Sequence, residues 1–158
     1  PGKGKRATDL VTQFPANMAR YAQETRAANG IPVLVTPLTR RTFKGAYLAD
    51  DLAPWAAATR DAARQEHAAL LDLNADSVAA VQAMGQDEAD TLAVVPRPPG
   101  YRQPVDPTKV ERAGPAKTAF DRTHLGAKGA DFFARMVERE LVAARPETAA
   151  YFKDGGKP

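Results

Sequence analysis

The sequence predicts an α/β fold built on a parallel sheet, of which this chain holds only part. Three observations lead there. The run "IPVLVTPL", Ile31–Leu38, is β-branched and apolar at odd and even positions alike, the mark of a parallel strand buried on both faces. Apolar runs of helical period alternate with it and with a second short strand. Helix–strand–helix–strand–helix implies right-handed crossovers between parallel strands. Only two convincing strands are present, and two cannot cover both edges of so apolar a segment. Ile31–Leu38 is therefore expected to have a further neighbour that these residues do not supply.

The elements run in order along the chain. Thr12 is placed to cap a first helix with Phe14, Met18, Tyr21, Ala22 and Thr25 along one side. Pro15 falls in its first turn, where a missing N–H costs little. Asn29-Gly30 ends it, and the strand Ile31–Leu38 comes next. Asp51 starts a second helix with Leu52, Trp55, Ala56, Thr59 and Ala63 on one stripe. A short strand, "ALLDL" at Ala69–Leu73, leads into helical segments near Ala75–Met84 and Gln86–Val94, divided by Gly85. Pro96–Lys117 carries six of the chain's 13 prolines and reads as a long irregular loop. The last helix, Ala127–Ala144, is expected to bury Ala130, Phe133, Ala134, Val137 and Leu141, with Pro146 as its stop.

Composition narrows the function. The 158 residues suit one domain, 44% hydrophobic and 26% charged, as in a globular protein. A net charge of +3, from 22 basic against 19 acidic residues, is dispersed, and the pI is ≈ 9.3. The one basic run, Gly2–Arg6, reads as a solvated loop, so no nucleic-acid partner is expected. No cysteine is present, which excludes thiolate metal sites and a Cys nucleophile. No apolar run has membrane-spanning length, no cluster has metal-ligand spacing, and neither a membrane partner nor a metal is expected. The chain opens on Pro1 and loop chemistry, "PGKGKRATD", so an upstream segment is expected.

One constellation carries chemistry. Asp121-Arg122-Thr123-His124 sits on a polar turn just before the last helix, and His124 is one of only two histidines. An Asp at i can accept a hydrogen bond from Nδ1–H of a His at i+3. That fixes the tautomer and leaves Nε2 free as a general base for a hydroxyl nucleophile. Spacing alone favours a surface turn with a solvated His and a helix-capping Asp.

"DRTHLGAKGA", with the amphipathic helix after it, resembles the last block of the SGNH (GDSL-type) hydrolases. "GIPVLVTPLTRRTF", "LLDLNADS" and "DRTHLGAKGA" occur in the order seen in the rhamnogalacturonan acetylesterase-like branch, and "PGKGKRATDLVTQFPANMARYAQETRAANG" is similar to the segment after that branch's G-H-N-D block. Pro96–Lys117 fits as an insertion. The resemblance implies a three-layer α/β/α, flavodoxin-like domain of which residues 1–158 are the C-terminal portion. It also implies a carbohydrate O-acetylesterase acting on a plant cell-wall polysaccharide such as pectic rhamnogalacturonan. Asp121 and His124 would be the acid and base of its Ser-His-Asp triad, with no cofactor. The family's G-D-S block, with its nucleophilic Ser, and its oxyanion-hole Gly and Asn are not in this sequence. An N-terminal fragment or another chain is expected to supply all three. The substrate class implies a secreted or periplasmic protein. An acetylxylan or other carbohydrate esterase, and an inactive carbohydrate-binding or interaction module on the same scaffold, are alternatives.

The remaining candidates weigh less. The lone serine, Ser77, lacks the glycine turn a nucleophile needs and is expected to cap a helix or lie on the surface. Arg40 and Arg41 come just after the C-terminal end of a parallel strand, where open α/β sheets place their sites. They are candidates for a uronate carboxylate, with structural ion pairing as the alternative. His67 reads as a helix C-terminal cation, Trp55 as core rather than a sugar platform, and Asp72 as the cap of the turn after its strand.

Overall fold

The computed structural model describes residues 8–101 and 120–153. The Gly2–Arg6 run, Pro1 and residues 102–117 of the proline-rich loop lie outside the described residues.

The first helix, α1, spans Gln13–Ala27. Thr12 stands at its N-cap but makes no side-chain capping bond: the Asp9 carboxylate accepts from the N–H of Val11 and Thr12 and from the Thr12 hydroxyl. Thr12 spends its side chain on that acid. α1 ends as expected, with Asn29 at φ 60° and Gly30 N–H donating to the Thr25 carbonyl. The same closure ends the second helix, α2 (Ala53–Gln65), with His67 at φ 47° and Ala68 N–H on Ala63. His67 thus occupies a left-handed C-cap position.

The strand β1 covers only Val33–Val35 of the expected Ile31–Leu38. Pro32 and Pro37 bracket it, and neither can donate to a ladder. A hairpin of β2 (Phe43–Lys44) and β3 (Tyr47–Leu48) comes next, turned by Gly45 at φ 62°. Sequence patterning did not anticipate it. Asp51 does not cap α2, because its carboxylate is taken by Arg40.

β4 (Ala69–Leu71) pairs with β1 in parallel, with Val33 opposite Ala69 and Val35 opposite Leu71. Alternate residues of this ladder face two hydrophobic clusters. Leu34 and Leu70 pack with Met18 of α1 and with Ala62 and Ala63 of α2. On the other side, Val33 and Leu71 pack with Val81, Leu92, Phe133 and Met136. Those residues belong to or adjoin α3 (Leu73–Asp90) and α4 (Ala127–Ala144). The result is an α/β arrangement with helices on both faces of a small parallel sheet. Burial of Ile31–Leu38 is only partial within these residues, since Ile31 is 61% and Val35 43% exposed.

α3 is broken at Gly85, at φ 72°, where the sequence divides the two segments. Asp72 caps it, accepting from Ala75 N–H, from Thr36 and bidentately from Arg60. Arg60 first, then Thr36, hold the Asp72 carboxyl below the usual carboxylate range. α4 has the expected bounds, and of its expected face Phe133, Val137 and Leu141 pack in the core. Gly129 and Met136 are buried as well, whereas Ala130 and Ala134 are exposed. A Cβ at Gly129 would stand 2.4 Å from the Leu92 carbonyl oxygen, so only glycine lets the helix seat this closely. Among the described residues no helix is long and apolar enough to cross a membrane.

Candidate active site

The turn before α4 is anchored first by its backbone. Ala93 and Leu125 form an isolated antiparallel bridge, and Gly126 N–H donates to the Leu92 carbonyl at 2.9 Å. The end of α3 and the start of α4 are thus tied together, and Asp121–His124 stands on the tie.

Asp121 organises the outer side of the turn. Its Oδ1 accepts from Thr123 N–H at 2.7 Å and His124 N–H at 2.9 Å. Its Oδ2 lies 2.7 Å from His124 Nδ1. Partial burial pushes the Asp121 carboxyl up, but the N–H donors of His124 and Thr123, with the His124 ring, outweigh it. They hold the group below the usual carboxylate range. An ionised carboxylate only accepts, so the ring nitrogen facing it carries the proton. Among the described residues Nε2 has no partner, on a side chain that is 77% exposed. The local pair expected from the i, i+3 spacing is therefore formed.

Two arginines hold the turn from behind, and neither role was legible in the sequence. Arg122 points inward and binds Asp90 bidentately at 2.8 and 2.9 Å, both side chains buried. Its guanidinium also lies over the Tyr101 and Phe120 rings. Asp90 takes further bonds from Arg97 and Gln86, so its charge is fully satisfied. Arg41, expected to meet substrate, is 1% exposed. Its main-chain N–H donates to the Arg122 carbonyl at 3.1 Å, and its Nη2 donates to the His124 carbonyl at 2.8 Å. Among the described residues its buried Nε has no partner, an arrangement that costs roughly 1–3 kcal/mol. Burial pulls the Arg41 guanidinium below its usual range, while the charges of Asp121 and Asp90 oppose that and Arg122 adds to it. The Arg41 guanidinium is thus committed to a main-chain carbonyl of the turn, beside the groove that Arg40 also lines.

Arg40 is partly exposed and ion-paired with Asp51. It rims an open groove of ≈ 250 Å³ shared with Leu38, Leu52, Thr123 and Leu125. Ser77 is not at the surface. It is 0% exposed, and its hydroxyl accepts from Thr39 N–H and donates to the Asn74 carbonyl. Both capacities are used inside the fold, which rules it out as a nucleophile for His124. Trp55, half-buried and outside both hydrophobic clusters, packs edge-to-face on Phe14 at 4.9 Å.

The chain is 22% identical over 139 residues to the probable rhamnogalacturonan acetylesterase YesY of Bacillus subtilis (strain 168). The match covers 88% of this chain and 55% of that protein, so the chain spans about half the length of the curated relative it matches. No family model matches the chain, and no solved structure does. The relationship is distant and points to an acetylesterase.

Proposed function

We propose that these residues are the acid–base half of a serine carbohydrate O-acetylesterase of the SGNH type, acting on an acetylated plant cell-wall polysaccharide such as rhamnogalacturonan. The observation that carries the reading is the His124–Asp121 contact with Nε2 left bare and exposed. The distant similarity to a probable rhamnogalacturonan acetylesterase supports the substrate class. In this reading the serine, and the Gly and Asn of the oxyanion hole, come from an N-terminal segment or another chain. The unpaired edge of β1, with Ile31 and Val35 exposed beside it, supports a larger three-layer sheet completed by that segment. A polysaccharide substrate implies a secreted or periplasmic protein.

The chemistry is then a two-step acyl transfer. His124 Nε2 takes the proton of the serine hydroxyl as its oxygen adds to the acetyl carbonyl carbon, and Asp121 stabilises the imidazolium that forms. The tetrahedral intermediate collapses as the sugar oxygen leaves with the proton from Nε2. Water, deprotonated by the same nitrogen, releases acetate and restores the serine. Arg40, at the rim of the groove, is the cation proposed to meet a uronate carboxylate. The test is acetate release from acetylated rhamnogalacturonan by the full-length protein carrying these residues. Release is expected there and lost in His124→Ala, while residues 1–158 alone leave p-nitrophenyl acetate intact. Undiminished turnover by His124→Ala, or hydrolysis by the chain alone, contradicts the reading.

A further inference from the structure

We propose that Arg41 is a positioning residue for the His124 imidazole, an inference that rests on the esterase reading above. The His124 ring is 77% exposed, and among the described residues its one hydrogen-bond partner is the Asp121 carboxylate. Little packing fixes it, so its place depends on the backbone from which it hangs. That backbone is gripped on two sides. In front, Asp121 takes the N–H of Thr123 and His124. Behind, Arg41 takes the carbonyls of Arg122 and His124, one with its main-chain N–H and one with its guanidinium. A single residue, 83 positions away in sequence, thereby brackets Thr123 and sets the height of the His124 Cα.

The composition of the site favours this role over simple packing. An apolar side chain of similar size would fill the same space without burying a charge or leaving Nε unpartnered. What the guanidinium adds is direction: a planar fork reaching the carbonyl of the residue that bears the base. The neighbouring acids, Asp121 and Asp90, favour its charge. Arg122 holds the turn to α3 through Asp90, but among the described residues only Arg41 donates a side-chain hydrogen bond to the His124 carbonyl itself.

The experiment is long-range ¹H–¹⁵N NMR of both imidazoles in this chain at alkaline pH, for wild type, Arg41→Met and Arg41→Lys. His67, on the left-handed cap of α2, is an internal reference. Wild-type His124 is expected as the Nδ1–H tautomer. In Arg41→Met that preference falls to the ratio His67 shows, and Arg41→Lys lies between. Thr36→Val breaks buried bonds to Asp72 and Asn74, destabilising the fold elsewhere, and leaves the His124 tautomer unchanged. Retention of the wild-type tautomer ratio in Arg41→Met overturns the inference, as does an equal change in Thr36→Val. Should Arg41→Met not fold, wild type decides: a scalar coupling between Arg41 Nη2 and the His124 carbonyl carbon supports the role, and its absence overturns it. A wild-type His124 with no Nδ1–H preference breaks the esterase reading instead, before any variant is compared.

Discussion

The turn Asp121–His124 makes two acid–base contacts of opposite character from adjacent residues. Asp121 and His124 pair outward, three residues apart, with most of the imidazole in solvent. Arg122 pairs inward with Asp90, 32 residues away, with both charges out of water. The outward contact adds little to folding, because exposed pairs are screened and typically contribute about 0–1 kcal/mol. The inward contact is strongly coupled to the fold, since removing one partner of a buried pair costs about 3–5 kcal/mol. The turn therefore separates tasks by side. In the proposed esterase, chemistry would sit on the face that stability does not need, held by the face that stability does.

The largest effect expected from that separation is kinetic. Asp121→Asn in the full-length enzyme should lower kcat by roughly ten-thousand-fold, by favouring the wrong imidazole tautomer. Thermal unfolding should move by no more than a few degrees. Activity within a fewfold of wild type, measured as acetate release, would make Asp121 only the clasp of the turn.

Arg122→Met should do the reverse on the inner side. Leaving Asp90 buried with less of its countercharge, it should destabilise the chain by about 3–5 kcal/mol in urea unfolding. The double variant Arg122→Met/Asp90→Leu should recover much of that loss, because the stranded charge is gone. A single variant as stable as wild type would place Arg122 with the screened contacts instead.

Glu140 on α4 lies between these extremes. Burial, then the nearby charge of Asp76, pushes its carboxyl up to about 7, with the charge of Asp72 adding to the push and the Asp72 N–H opposing it. A folded pKa above the unfolded value means that folding favours the protonated form. Its stabilisation is present below about 4.5 and lost as pH rises through about 7. Glu140→Gln should flatten that fall, by a few degrees in Tm on the alkaline side. An identical pH–stability curve for the variant would show that the acid is solvated.

Local chemistry was legible in the sequence. The Asn29-Gly30 stop, the break at Gly85, the bounds of α4 and the i, i+3 contact of Asp121 with His124 each depend on residues within a turn of one another. The features that escaped depend on distant approach. Gly129 is buried because the Leu92 carbonyl stands against it, and no period in the helix records that neighbour. The β2–β3 hairpin is too short for an alternating pattern to stand out, leaving Gly45 as its one signal. Arg41 read as a substrate or ion-pair candidate, and Arg122 only as a member of the turn. Their burial makes sense only once Asp90, Asp121 and two carbonyls converge on them.

The central claim is that His124 presents Nε2 to a serine that these 158 residues do not contain. A crystal structure of the full-length protein that includes them tests it directly. A seryl Oγ from outside these residues should lie within about 3 Å of His124 Nε2, somewhat farther without ligand, while Nδ1 keeps its contact with Asp121. A complete protein in which Nε2 faces solvent, with no serine in reach, would contradict it.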